Sequence, residues 1–335
     1  MPQDLPLLSV VICTYRRQRL LVDCLEGLAV QEIDGLRGIE IVLVDNCPAR
    51  SAQPVIASVN LPNPAIMLVP VHEPRTNVAH ARNAGLAAAK GDYIAFIDDD
   101  NRVPVDWART IVAAARGRGA GVVLAPIVPE IEPPGDPALA VWFTRDVAAG
   151  PDGLVTPRRD GYIPGFRTCN VLLRRDVALA VGPEPFDPVF GLSGGEDIDY
   201  FMRISGIGPR VVRCAEAVAH ELVPAGKATR EAFLKREYQG GRNYARVLLK
   251  NRRSRVLAIA DISMRAAVRV GLCAIGAAVD IVRGRPLAFE RRVGIAQSLG
   301  KLAWAGSPGL WWRVEEQAVP TARVAESGRR PASGA

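Results

Sequence analysis

Three consecutive carboxylates, Asp98, Asp99 and Asp100, directly follow the apolar run at 94–97. Neighbouring aspartates raise each other's pKa, so this cluster requires a compensating cation to be stable while ionised. Carboxylates are hard oxygen donors suited to Mg²⁺ or Mn²⁺, and three are too few for a closed calcium site. The cluster therefore predicts a half-filled metal site whose other ligands come from a substrate, diphosphate oxygens being the usual candidates. The alternative is a charged turn, which explains three adjacent aspartates poorly.

A second acidic motif is GGED at 194–197. Its two glycines let the backbone approach a substrate closely. Glu196 and Asp197 begin a predicted helix at 196–204, where acidic residues also favour the helix dipole. Together with an upstream metal site, a carboxylate at this position is better explained as a general base.

Further polar residues indicate a nucleotide. Thr14 and Tyr15 end the first predicted strand, where backbone groups and an aromatic ring can hold a base. Asp45 ends the second strand and is suited to accept a hydrogen bond from a base or ribose, although a turn aspartate is equally ordinary. The run RTNVAHARNAG supplies Arg75, Arg82 and Asn83 beside the next helix, and a guanidinium near a phosphate or base is chemically suitable. An arginine that is merely on the surface is the alternative.

Strands alternate with helices through the first half of the chain. The predicted strands are 8–13, 40–45, 67–71, 93–97 and 122–125, and the predicted helices are 17–31, 51–59, 78–89 and 105–116. This alternation predicts an α/β fold with a mostly parallel sheet and helices on both faces. In such sheets the ligand lies outside the carboxyl ends of the strands, where Asp45 and the three aspartates are located.

The second half of the chain has a different composition. Residues 126–165 are rich in Pro and Gly and predict a long connection, followed by a strand at 169–175, a helix at 176–181 and the GGED motif. Residues 226–312 are predicted to be helical, and 313–335 to be a disordered tail.

Composition narrows the class of protein. The chain has 335 residues, 49% of them hydrophobic, which is enough for a sizeable core. Its six cysteines show no metal-ligand spacing and are interpreted as reduced thiols. No signal peptide is recognised at the N-terminus, so we expect a cytoplasmic protein.

The motifs taken together resemble the family 2 glycosyltransferases, which are inverting nucleotide-sugar enzymes of GT-A fold. The resemblance rests on SVVICTYRR, EIVLVDN, RNAGLAAAKGDYIAFIDDD and GGED in this order, and it covers about 8–249. The segment AVAHELVPAGKATREAFLKREYQGG further resembles the succinoglycan-type glucosyltransferase branch. A dinucleotide oxidoreductase is disfavoured, because no glycine-rich turn follows the first strand.

The resemblance implies a division of the chain and a role for each site residue. It implies a catalytic domain over 1–225, with a nucleotide-sugar half over about 1–125 and an acceptor half over about 126–225. The residues implied to bind the nucleotide are Thr14, Tyr15, Asp45 and Arg82. Asp98 is implied to lie near the ribose and to bind the metal, Asp100 to bind the metal, and Asp99 to share these roles. Asp197 is implied to be the base, Glu196 to lie beside the acceptor or to support the base, and His220 to lie near the metal or diphosphate. A structural role for His220 is the alternative.

The implied function is transfer of a hexose, with UDP-hexose favoured as donor, to a glycan or polyprenyl-linked acceptor in bacterial polysaccharide synthesis. Mg²⁺ or Mn²⁺ is the implied cofactor. The QxxRW motif of processive synthases is absent, which disfavours processive polymerisation. A nucleotide-sugar-binding protein without transfer activity and a nucleic-acid-binding protein with a basic tail remain as alternatives.

The C-terminal region is strongly basic. Residues 1–225 carry 21 Lys and Arg against 27 Asp and Glu, and residues 226–335 carry 21 against 8, so the net charges are −6 and +13. A predicted helix at 256–283 has its charged residues within about 100° and an otherwise apolar surface. Trp304, Trp311 and Trp312 follow it, and tryptophan favours the headgroup zone of a membrane. We expect peripheral attachment to the inner face of the cell membrane, with packing on the catalytic domain as the alternative; no nucleic-acid-binding module is recognised.

Overall fold

A computed structural model describes residues 5–158, 161–163, 167–252, 254–286 and 288–304. Its strands are β1 (Leu7–Thr14), β2 (Gly38–Asp45), β3 (Ile66–His72), β4 (Tyr93–Phe96), β5 (Asn101–Arg102), β6 (Val122–Leu124), β7 (Ile127–Ile131), β8 (Val171–Arg174), β9 (Val211–Arg213) and β10 (Ala219–Val223). Its α-helices are α1 (Gln18–Ala29), α2 (Gln53–Ser58), α3 (Val78–Ala88), α4 (Trp107–Gly117), α5 (Ala140–Phe143), α6 (Arg175–Leu179), α7 (Glu196–Ile207), α8 (Arg230–Asn251), α9 (Arg255–Val282) and α10 (Phe289–Leu302).

The central sheet has seven strands in the order β3–β2–β1–β4–β8–β6–β9. Every neighbouring pair is parallel except the two that involve β8, which is antiparallel to both β4 and β6. The predicted α/β fold with a mostly parallel sheet is therefore confirmed. Because β1, β2 and β4 run in one direction, their carboxyl ends lie at one edge of the sheet.

Both faces of this sheet are buried, as a parallel sheet requires. Alternate residues of β1 belong to hydrophobic clusters on opposite faces of the sheet. Val10 and Ile12 share a cluster with the apolar side of α1. Val11 shares the other cluster with Phe96 and Tyr200. Helix α1 buries Leu21, Cys24, Leu25, Leu28 and Ala29. This spacing places one apolar stripe of the helix against the sheet.

A second, three-stranded sheet in the order β5–β10–β7 was not predicted. The connection expected over 126–165 instead contains β7, a 3₁₀ turn and α5 within its described residues. Pro129 in β7 argued against a strand, but among the described strands β7 pairs with β10 alone, and its other side forms a single bridge, between Ile127 and Arg145. Pro129 therefore lies in an edge strand, where proline is tolerated. Strand β5 has two residues and carries no pattern of its own.

The C-terminal helices pack on one another. Gly241 of α8 lies against the backbone of Gln297, and Gly300 of α10 lies against that of Tyr238, so α8 and α10 approach to a distance that leaves no room for a Cβ atom. Helix α9 contacts α10 through Asp280, which accepts a hydrogen bond from Arg291 Nε at 2.7 Å. The prediction of a C-terminal helical region is confirmed by α8, α9 and α10, the last of which ends at Leu302. Trp311, Trp312 and the predicted tail at 313–335 lie outside the described residues.

Candidate active site

The three aspartates form a turn between the two sheets. Asn101 N–H donates to the carbonyl of Asp98 at 3.0 Å, which closes the turn after β4. Leu222 N–H of β10 donates to the carbonyl of Asp100 at 2.9 Å. The turn is thus held by the second sheet as well as by the first.

The three carboxylates have different surroundings. Asp99 is 3% exposed and accepts hydrogen bonds from Thr14 Oγ1 at 2.7 Å and Arg17 Nη1 at 2.9 Å. Asp100 Oδ2 lies 3.2 Å from the same Arg17 nitrogen. Asp98 is half-buried, and its carboxylate interacts electrostatically with Arg82 and Arg145. Sequence reasoning missed Arg17, since nothing local distinguishes it from the adjacent Arg16.

The cluster retains excess negative charge. Burial and the nearby Asp100 carboxylate raise the pKa of Asp98, against the opposing effects of Arg82 and Arg145. Burial also raises the pKa of Asp99, although Arg17 and Thr14 act in the opposite direction. The carboxylate oxygens of Asp98 and Asp100 are donors that fit Mg²⁺ or Mn²⁺. The described residues contain no group of three or more His, Cys, Asp or Glu side chains placed to hold a metal ion, so such an ion would need ligands from a substrate.

Arg82 joins the two acidic motifs. From α3, its Nη1 donates to Glu196 Oε1 at the start of α7, and both side chains are largely buried. Burial alone would lower the pKa of Arg82, but Glu196, Asp197 and Asp98 raise it. The predicted nucleotide-binding role of Arg82 stays a prediction. Its position next to both motifs makes it a fixed positive charge between them.

Three carboxylates lie in the first turn of α7, and two are already paired. Glu196 accepts from Arg82, while Asp199 is fully buried and accepts from Arg203 Nε, Lys250 Nζ and Asn251 Nδ2 at 2.9–3.0 Å. Asp197 is half-buried, and among the described residues its carboxylate accepts only from the N–H of Ile198, at 2.8 Å. Asp197 is therefore the acid of this turn whose oxygens are available to a substrate.

Helix α8 supports the loop that carries Asp197. Asn243 Nδ2 donates to the carbonyl of Ser193 at 2.9 Å, and Arg246 Nη1 donates to Ser193 Oγ at 2.7 Å. Gly194 has φ +82°, and a Cβ there would lie 2.6 Å from Asn243 Nδ2. Glycine is therefore required by both conformation and space. The loop that carries Asp197 therefore depends on α8, which lies beyond residue 225, the expected end of the catalytic domain. That domain boundary stays a prediction.

We expect Asp199→Asn to lower the free energy of unfolding by about 2 kcal/mol, within the range for hydrogen bonds to charged groups. The change leaves Lys250 and Arg203 facing a neutral side chain. Urea unfolding of the full chain measures the effect, with the exposed Asp152→Asn as the control. Equal stability of the two variants would contradict a supporting role for Asp199.

The predicted nucleotide residues lie at the carboxyl edge of the sheet. Thr14 is buried against Asp99, and Tyr15 is 40% exposed. Asp45 accepts from the backbone N–H groups of Cys47 at 3.0 Å and Ala52 at 2.7 Å, so its carboxylate holds the loop before α2. This is the turn role that the sequence left open, and contact of Asp45 with a base or ribose stays a prediction.

His220 lies on the far side of β10 from the aspartates. Its Nδ1 is 3.2 Å from Glu130 Oε1. The neighbouring Glu221 points to the opposite face of the strand, where it pairs with Arg145 at 2.9 Å. Burial raises the pKa of Glu221, and the nearby Asp100 and Asp98 carboxylates raise it further, whereas Arg145 acts in the opposite direction. This arrangement does not support the predicted metal role of His220, and it identifies Glu221 as a site residue missed from the sequence.

Comparisons with known proteins agree with this architecture. The model of the family described as "Glycosyl transferase family 2" matches residues 9–181, which include the aspartate cluster but not Asp197. The succinoglycan biosynthesis protein ExoM of Rhizobium meliloti is 32% identical over 257 residues, covering 74% of this chain and 77% of that protein.

Two solved structures are similar in fold. The mannosyltransferase PcManGT from Pyrobaculum calidifontis, in complex with GDP-Man and Mn²⁺, has a TM-score of 0.54 at 18% identity, covering 91% of this chain and 89% of that chain. Residues 1–349 of S. aureus TarS, in complex with UDP-GlcNAc, have a TM-score of 0.52 at 15% identity, covering 89% and 91%. At these identities the likeness shows the fold, which is GT-A.

Proposed function

The chain belongs to glycosyl transferase family 2 and is a glycosyltransferase, and on this basis we propose that it inverts configuration as it transfers a hexose from a nucleotide-diphosphate sugar. UDP-hexose is the favoured donor, and the acceptor is a hydroxyl of a glycan or polyprenyl-linked sugar. The likeness to ExoM supports a role in exopolysaccharide synthesis.

One observation carries this proposal. Among the described residues no side chain donates a hydrogen bond to Asp197, and the Arg82 side chain faces both acidic motifs. Asp98 and Asp100 are half-buried, and Asp100 accepts a hydrogen bond from Arg17. This arrangement supports a role for Asp197 as the base and for Asp98 and Asp100 as the donor set of a diphosphate-bound cation, with the Arg82 guanidinium facing both motifs. A protein that only binds nucleotide sugars has no need for the open Asp197.

The mechanism follows from this arrangement. Asp197 accepts the proton of the acceptor hydroxyl, whose oxygen forms a bond to the anomeric carbon from the face opposite the nucleotide. The bond from that carbon to the diphosphate breaks, the electron pair leaves with the diphosphate, and the configuration inverts. Asp98 and Asp100 would hold Mg²⁺ or Mn²⁺, which when bound supplies Lewis-acid stabilisation of the leaving group. Arg82 keeps Glu196 paired, so that Asp197 alone receives the proton.

A donor screen tests the proposal. The full chain is incubated with UDP-, GDP- and dTDP-sugars, with Mn²⁺ or Mg²⁺ and with polyprenyl-diphosphate-linked sugars, and release of nucleoside diphosphate is measured. We expect acceptor-dependent release with one donor class. Donor binding without release under every condition would favour the binding protein over the transferase.

We further propose that α9 attaches the enzyme to the inner face of the cell membrane. Among the described residues, α9 is the one helix long and apolar enough to cross a membrane by length and composition, and only 11% of its apolar window is buried. Its exposed apolar residues are Val256, Leu257, Met264, Val268, Leu272, Ile275, Val279, Ile281 and Val282. Asp261 and Asp280 lie within the same helix, which disfavours spanning and favours a helix in the interface.

Two features of the C-terminal region bear on this attachment. The +13 charge of residues 226–335 complements an anionic leaflet, where each basic residue near the surface contributes about 1 kcal/mol. Trp304, expected in the headgroup zone, instead packs partly buried against the cluster that contains Leu248 and Ile262. The support for membrane attachment therefore comes from α9 and the basic charge, without Trp304.

We expect Leu272→Glu to weaken binding to anionic vesicles at least about tenfold, because insertion of one aliphatic side chain contributes roughly 1.5–3 kcal/mol. Leu272 is 63% exposed, so the fold tolerates the change. Vesicle co-sedimentation measures it, with Val141→Glu, at an exposed apolar residue outside α9, as the control. Unchanged sedimentation of the Leu272 variant would contradict insertion of this face.

A further inference from the structure

Arg17 places a side-chain cation on the aspartate cluster. It lies between the end of β1 at Thr14 and the first residue of α1 at Gln18, after a turn in which Arg16 has φ +55°. One nitrogen, Nη1, lies 2.9 Å from Asp99 Oδ1 and 3.2 Å from Asp100 Oδ2. The guanidinium therefore bridges two carboxylates that each require positive charge.

The two carboxylates depend on Arg17 to different degrees. Asp99 also accepts a hydrogen bond from Thr14 Oγ1 and keeps this partner without Arg17. Within the described part of the chain, the Asp100 carboxylate has Arg17 as its one hydrogen-bond donor. The Arg17 side chain is 40% exposed, so its guanidinium has room to leave Asp100 toward solvent.

A divalent ion and Arg17 compete for the same oxygens. An Mg²⁺ ligand oxygen lies about 2.0–2.1 Å from the ion, so an ion on Asp100 would be only a few ångströms from the guanidinium. Like charges at this separation repel strongly, even at a partly exposed site. Arg82 and Arg145 face Asp98, and Arg145 and Lys227 also interact electrostatically with Asp100. Among the described residues, Arg17 is the cation that donates a hydrogen bond to the Asp100 carboxylate.

We propose that Arg17 is a resident counter-ion, which holds Asp100 until the divalent ion displaces it and then pairs with the diphosphate of the donor. The planar guanidinium matches phosphate oxygens in a bidentate way. This role rests on the proposed metal-dependent transferase and adds a residue that the comparisons do not assign. Arg17 thereby positions the metal ligands before binding and contacts the substrate afterwards.

The first test measures binding of Mn²⁺ alone to the full chain, by electron paramagnetic resonance of the free ion. We expect Arg17→Met to bind Mn²⁺ at least about tenfold more tightly than the wild type, because a competing positive charge is removed. Arg17→Lys should retain the wild-type affinity. Arg19→Met is the matched control, since Arg19 is exposed and pairs with Glu132 away from the cluster.

The second test uses inorganic pyrophosphate at saturating Mn²⁺, measured by titration calorimetry. We expect Arg17→Met to bind pyrophosphate at least about threefold more weakly, which is opposite in sign to the expected change in Mn²⁺ affinity. Damage to the fold would instead weaken the binding of both ligands. Unchanged or weaker Mn²⁺ binding by Arg17→Met would overturn the counter-ion role, and unchanged pyrophosphate binding would overturn the contact with diphosphate. A wild-type protein that binds no Mn²⁺ would instead count against the metal-dependent transferase itself.

Discussion

Asp197→Asn is expected to lower the rate of sugar transfer by about 100- to 10,000-fold, the range typical of a removed general base. The amide keeps the size of the carboxylate but does not accept the acceptor's proton. Glu196 and Asp199 do not substitute for it, because both are paired with cationic side chains. Affinity for the nucleotide sugar should be unchanged, since the carboxylate acts on the acceptor.

Two measurements separate these effects. Single-turnover transfer gives the rate, and calorimetric titration gives the dissociation constant of the donor. Asp34→Asn, at an exposed position outside the site, is the control and should match the wild type in both. Loss of donor affinity with normal turnover would show that Asp197 holds the nucleotide and that the base is another residue.

Asp100→Asn is expected to lower turnover by about 100-fold or more, because even changes behind a ligand typically cost 10–100-fold in metal affinity or activity. Removing a charged ligand weakens ion binding and, with it, stabilisation of the leaving diphosphate. EDTA should bring the wild type down to a similar rate. Steady-state release of nucleoside diphosphate across a titration of Mn²⁺ measures both effects.

The control for this variant is Asp106→Asn, an aspartate close in sequence that pairs with the exposed Arg109. It should keep wild-type turnover and dependence on Mn²⁺. Full activity of Asp100→Asn in the presence of EDTA would exclude a divalent ion at this cluster. That outcome would leave Arg17 as the cation that serves Asp99 and Asp100 throughout the reaction.

The elements that form the sheet could be predicted because their signals are local. Apolar runs alternate with helical periodicity, and six of the seven strands of the central sheet, with their flanking helices, lie within a few residues of the predicted bounds. The seventh, β9, has three residues and was not predicted. The residues at the strand ends could also be predicted. Parallel strands place their carboxyl ends at one edge of the sheet, so Thr14, Asp45 and Asp98 were expected at the same edge. The small second sheet could not be predicted in this way, because β5 is too short and β7 contains Pro129.

The sequence by itself determined the family, the alternation of strands and helices in the first half of the chain, and the two acidic motifs that could carry the chemistry. Only the tertiary structure decided which partners each acid of the two motifs has. Asp98, Asp99 and Asp100 are chemically identical, and so are Asp197 and Asp199; their partners differ because of residues far along the chain. Glu196 is paired by Arg82, which is 114 positions away, and Asp199 is paired by Lys250, 51 positions away. Such pairing depends on how α3, α7 and α8 pack together, and no local pattern encodes it.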